Sequence, residues 1–154
     1  MSEISKDQVE AYLGGKAELH EILELEPDYV EQLRGRAQFF VDGGHVERAL
    51  IMLGMLEELD RTDPTASLIA AELLLAEGSS DAAAEKIGQV LERDPNNADA
   101  LVASAELKIA TGQLVPAAKV LEKVISIDPE GKTAAGSRAL AVATKAHSQF
   151  EASA

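Results

Sequence analysis

The 154-residue chain is 46% apolar but only 3% aromatic, has no cysteine and carries a formal charge of −13. Its core must be built from Ala, Leu, Ile and Val, disulfides and thiol chemistry are excluded, and nucleic acid is a poor partner because phosphate binding needs clusters of Lys and Arg. The length is that of one domain, 1–154. No 18-residue apolar run predicts a membrane span, and Met1 to Asp7 lack the basic-then-apolar order of a signal peptide, so a cytoplasmic place is expected.

The first elements are short. Val9, Tyr12 and Leu13 fall at helical spacing over 5–13, and Gly14-Gly15 then interrupts. Leu19, Ile22, Leu23 and Leu25 make a second short apolar face before Pro27. Residues 1–29 read as a helical cap over the helices that begin near residue 30. The alternative is a homodimer contact through these N-terminal helices. His20 and Glu24, one helical turn apart, suit a surface pair.

A 34-residue period then sets in. Gly44, Gly78 and Gly112 keep that spacing. So do Ala37, Ala71 and Ala105, then Ala49, Ala83 and Ala117. Leu53, Ile87 and Leu121 follow suit, as do Leu56, Val90 and Val124. The repeats run 30–63, 64–97 and 98–131, and each predicts two helices. Glycine suits the turn between them, where positive φ is needed. The alanines let helix axes approach closely, and the larger columns fill the space between elements. Start signals agree. Asp28 is the expected cap of the first helix, Asp63-Pro64 reads as cap plus first-turn proline, and Asn97 caps the third. Asp81 falls in a first turn, and Pro116 sits where a missing N–H costs nothing.

Residues 132–150 predict a closing amphipathic helix. Leu140, Val142 and Ala146 would cover the last repeat, with Lys132, Arg138 and Lys145 solvated. Gly131-Lys132-Thr133 has only the tail of a phosphate loop and reads as a helix start with Thr133 as cap. His20, His45 and His147 share no metal-ligand spacing. No nucleophile–base pair stands out, so the residues point to no enzyme and no cofactor.

The 34-residue period, with the stretch Ala105 to Gly112, the turn Gly112 to Ala117 and the ending Asp128-Pro129, resembles the tetratricopeptide repeat. The resemblance implies an all-α fold: three helix-turn-helix repeats stacked into a right-handed superhelix, the first helix of each lining a concave face. Ser67 and Arg61 depart from the family pattern. In this frame Leu33, Ala37 and Phe40, then Ser67, Ala71 and Leu74, then Leu101, Ala105 and Lys108 pack inside their repeats. The adjacent stripe, Arg34, Gln38 and Val41, Leu68, Glu72 and Leu75, Val102, Glu106 and Ile109, faces the groove. The stretch from Ser67 to Ala76 is apolar almost all round, more than its own repeat can bury. The groove is therefore expected to bind an apolar segment of a partner protein. Repeat proteins that clamp acidic C-termini use Lys and Asn at these positions; here only Arg34 is suitable, and the acidic residues repel such a ligand.

A narrower resemblance rests on the order of a helix, the Gly-Gly break, a short Leu/Ile segment, Tyr29-Val30-Glu31-Gln32-Leu33, Phe40 to Ala49, and Leu53 to Asp60. It is similar to the class II chaperones of bacterial type III secretion, acidic three-repeat proteins that keep hydrophobic translocators soluble. The low aromatic content and Met55-Leu56-Glu57, where a Cys is frequent, depart from that family. The alternative is an adaptor that assembles a multiprotein complex without shielding anything.

Overall fold

The computed structural model describes residues 4–153. Nine helices are described: α1 (Lys6–Leu13), α2 (Leu19–Ile22), α3 (Pro27–Asp42), α4 (Val46–Leu59), α5 (Thr65–Ala76), α6 (Ser80–Arg93), α7 (Ala98–Ala110), α8 (Leu114–Ile127) and α9 (Ala134–Ser153). No strand occurs among the described residues. The pairs α3/α4, α5/α6 and α7/α8 are the three repeats, flanked by α1, α2 and α9. The chain packs as two compact units that divide inside α5, one up to Leu73 and one from Leu74.

The turn inside each repeat is built three times alike. Gly44, Gly78 and Gly112 have φ of 68°, 79° and 78°. The next residue donates its N–H back five positions, His45 to Phe40 O, Ser79 to Leu74 O and Gln113 to Lys108 O, at 2.9, 2.8 and 2.7 Å. This is a Schellman ending, which satisfies carbonyls the helix leaves open. A side chain in that left-handed conformation costs roughly 1 kcal/mol, which is why glycine recurs there. The alanine columns are buried throughout, Ala37, Ala71 and Ala105 as well as Ala49, Ala83 and Ala117.

In the first unit Leu33 and Ala37 of α3, Leu53, Leu56 and Leu59 of α4, and Ala66 and Ala70 of α5 form the core. The N-terminal cap is supplied by α2, not α1. Ile22 is buried, and Leu19, Leu23 and Leu25 pack on the core. α1 has a capping box between Ser5 and Gln8 but no buried residue; Val9 and Leu13 point to solvent. One expectation changes here. α3 begins two residues earlier than a cap at Asp28 requires, with Glu26 at the cap position and Asp28 in the first turn. His20 Nδ1 lies 2.6 Å from Leu59 O of α4.

In the second unit Leu101, Val102 and Ala105 of α7 meet Ala117, Leu121 and Val124 of α8 and Ala139 of α9. The caps fall where the sequence puts them: Asn97 Oδ1 accepts from Ala100 N at 3.0 Å, and Thr133 Oγ1 from Gly136 N at 3.0 Å. In the first unit Asp63 Oδ1 accepts from Thr65 N at 2.9 Å. The loop before α9 is organised by Asp128, whose carboxylate accepts from Lys132 N (2.9 Å) and Thr133 N (2.8 Å). Arg138, expected in solvent, is half-buried against α7.

Candidate protein-binding faces

The predicted groove stripe separates into residues that share a trough, residues that the fold uses, and residues that lie elsewhere. Arg34, Gln38 and Val41 share one. They line a cavity of about 350 Å³ with Ala66 and Ile69 of α5, floored by Leu53 and Leu56 of α4. One end is polar. Arg34 Nη1 donates to Asp63 Oδ2 at 2.7 Å, and its Nε lies 3.4 Å from Glu31. The hydrogen bond to Asp63 raises the Arg34 pKa above its ordinary value. Burial pushes the Asp63 carboxyl up, but hydrogen bonds from Thr65 and Arg34 outweigh it and hold the group low. Gln38 Nε2 donates to Asp42 Oδ1 at 2.7 Å along its own helix. The trough thus combines an aliphatic floor with one end of fixed, paired charge. An apolar floor beside a few fixed polar groups is the usual composition of a binding pocket.

Leu68 is half-buried and Glu72 exposed on α5; neither lines this trough. Leu75 is half-buried. Val102 is fully enclosed, with no accessible surface, and belongs to the core rather than to a groove. The reason is that α6, α8 and α9 all pack on α7, so that helix keeps no open apolar stripe. Glu106 is taken by α9: Arg138 Nε donates to its Oε1 at 3.0 Å, and a terminal guanidinium nitrogen to its Oε2. Ile109 is half-buried and lines a different surface, between α8 and α9.

Two further apolar surfaces lie apart from this trough, and the stripe reaches only the second, at Ile109. One is a cavity of about 510 Å³ in the first unit, where Leu19, Leu25, Tyr29, Ile51 and Met55 meet along α2, α3 and α4. The other, of about 780 Å³, lies in the second unit between α8 and the end of α9. A signal for the second was present. Val115 stands 34 residues after Asp81 and 68 after Glu47, so a polar column turns apolar in the last repeat.

Comparison with known proteins agrees with this geometry. The tetratricopeptide repeat family model matches residues 74–146. No curated protein matches the chain. Among solved structures, a type III secretion complex from Aeromonas hydrophila aligns with a TM-score of 0.75 at 18% identity, covering 95% of this chain and 99% of that one. The Yersinia enterocolitica type III secretion translocator chaperone SycD aligns with a TM-score of 0.71 at 24% identity, over 88% and 98% of the two chains. An alternative dimer of SycD aligns at 26% identity with a TM-score of 0.62, over 79% and 97%. Residues 74–146 thus match the tetratricopeptide repeat, and the fold of the chain resembles that of a type III secretion translocator chaperone.

Proposed function

We propose that this protein holds an apolar segment of a partner protein, as a cytoplasmic chaperone for a type III secretion translocator. The observation that carries the reading is the trough along α3 and α5, in which Arg34, Gln38 and Val41 surround a floor of Leu53 and Leu56. The likeness to SycD, a translocator chaperone, supports it. Each aliphatic side chain of the guest that leaves water there contributes roughly 1.5–3 kcal/mol before the cost of ordering the segment. The charge of −13 keeps the loaded complex dispersed. A second copy is the other partner in this reading. Ile4, Val9 and Leu13 lie exposed at and beside α1, an apolar face suited to a homodimer through the N-terminal helices.

The test is co-purification from the native host with the wild-type chain and with Val41→Asp. The chaperone reading expects one protein with long apolar segments to accompany the wild type and stay soluble with it. It expects that protein to be lost from Val41→Asp while the helical circular-dichroism signal is kept. A co-purified partner that is already folded and soluble alone would indicate an adaptor instead. Sizing of Leu13→Glu tests the dimer: a shift from dimer to monomer is expected, and an unchanged size would remove α1 from the interface.

A further inference from the structure

The last helix continues the repeat. Ala139 stands 34 residues after Ala105 and extends the buried column of Ala37, Ala71 and Ala105. α9 packs on both α7 and α8. It therefore takes the position of the first helix of a fourth repeat. In the three complete repeats that helix stops at a glycine turn, at Gly44, Gly78 and Gly112. The matching position here is Ala146, and α9 runs on to Ser153. Among the described residues no second helix folds back along it.

The groove of about 780 Å³ lies beside α9, on the side of α8. Leu114, Val115, Ala118 and Ile125 wall one side, Ala146 and Phe150 the other. Val115 and Phe150 are 70% and 63% exposed, so these apolar side chains contribute little to folding of the free chain. The repeat does not demand them either. Val115 is in register with Glu47 and Asp81, and Leu114 with Val46 and Ser80. A contiguous apolar surface that folding does not require marks a place where something docks.

The geometry points to a seat for one amphipathic helix of a partner protein, in the position that the second helix of a fourth repeat would take. The contact would continue one the chain already makes. In α8 the helix that packs on α7 presents Ala117, Leu121 and Val124, all buried, and α4 and α6 carry the same order of small then large residues. The guest is expected to present a small residue followed by aliphatic ones four and seven positions on. At the rim α8 supplies Lys119 and Glu122, and α9 the pair His147–Glu151 at 3.3 Å. A guest with both signs of charge on its polar face fits that rim, as α6 does with Asp81, Glu85, Lys86 and Arg93.

The probe is a capped peptide of residues 80–93, the sequence of α6, held helical by a hydrocarbon staple across positions 82 and 89, which leaves its charged residues in place. It is titrated into the full ¹⁵N-labelled chain. Saturable amide shifts confined to residues 114–126 and 143–151 are expected, with binding at least about tenfold weaker to Val115→Asp and to Phe150→Asp. Both side chains are exposed, so the variants should keep the fold, checked by circular dichroism. A stapled peptide with Ile87→Asp should not bind. Absence of shifts at millimolar peptide, shifts outside the groove, or undiminished binding to both variants would overturn the proposal. Groove shifts produced by raising the concentration of the chain alone would name a second copy as the occupant and also overturn it.

Discussion

Arg138 of α9 grips Glu106 of α7 with two hydrogen bonds, one from Nε to Oε1 at 3.0 Å and one from a terminal nitrogen to Oε2. The side chains keep 35% and 26% of their surface in water, so the pair is neither fully screened nor fully buried. Exposed pairs contribute about 0.2–1 kcal/mol, and breaking a buried one costs about 3–5. Arg138→Ala is therefore expected to destabilise the second unit by about 1 kcal/mol. A double-mutant cycle with Glu106→Gln reads the coupling directly. A coupling within error of zero would mean that α9 docks through Ala135, Ala139 and Val142 alone.

Val102 supplies a second test. The sequence frame puts it beside a ligand; the structure encloses it with Leu101, Leu121 and Ala139. A ligand contact would make Val102→Ala lose partner binding without changing stability. A core residue behaves otherwise. Val102→Ala is expected to cost about 2 kcal/mol of folding free energy, and Val102→Asp to unfold the second unit by burying an unpaired charge. Urea denaturation separates the cases.

Most of the architecture was legible because it is carried by periodic contacts. Gly44, Gly78 and Gly112 announce three left-handed turns, and the alanine columns announce where helices touch. Asn97 and Thr133 cap helices by local hydrogen bonds, which a sequence window contains. The groove stripe was less legible because exposure depends on which helices cover α7. Offsets within a repeat place Val102 next to Leu101, but they do not tell that α6, α8 and α9 together leave it no water. Arg138 was missed for the same reason, since its partner lies 32 residues away on another helix. Arg34, Gln38 and Val41 do share a trough, where α5 leaves a gap rather than a cover.

Gly136 and Asp128 form a local lock at the start of α9. A Cβ at residue 136 would overlap the Asp128 carboxylate, which is held in place by Lys132 N, Thr133 N and Thr133 Oγ1. Gly136→Ala must push that carboxylate aside and is expected to destabilise by about 1–3 kcal/mol, read as a lower melting temperature. Helix propensity alone would predict the opposite sign, since alanine is the better helix former. An unchanged or raised melting temperature would show that the loop yields freely.

The same carboxylate gives a pH dependence of known sign. Hydrogen bonds from the backbone of Thr133, then Lys132, hold the Asp128 pKa below its ordinary 3.8. A depressed folded-state value means that the stabilisation is present above the unfolded value and is lost as pH falls through the folded one. Melting temperatures recorded from pH 6 downward should fall for the wild type below about pH 4. Asp128→Asn should start lower and lose less over that interval. Equal losses in the two proteins would assign the acid sensitivity to other carboxylates.

Tyr12 holds α1 by polar contacts rather than by burial. Its hydroxyl donates to Glu58 Oε2 at 2.8 Å, and the Arg61 guanidinium lies 4.2 Å over the ring while donating to the same Glu58 oxygen at 2.9 Å. α1 contributes no buried residue, and Gly14-Gly15 follow it with Gly15 at φ 65°. Local opening should therefore be cheap, and removal of one hydroxyl should be felt. In Tyr12→Phe, amide exchange over residues 6–13 is expected to speed up about five- to tenfold, while α3 and α4 stay protected. The hydrogen bond to Glu58 also raises the Tyr12 pKa above 10.0. A raised value places this contribution fully below the unfolded pKa and removes it as pH climbs through the folded one, where a phenolate would face Glu58. Wild-type α1 should thus loosen in strong alkali, detected by fluorescence anisotropy of a dye attached at residue 6. Tyr12→Phe should show no such transition. If both proteins loosen together, Tyr12 is not what fastens the helix.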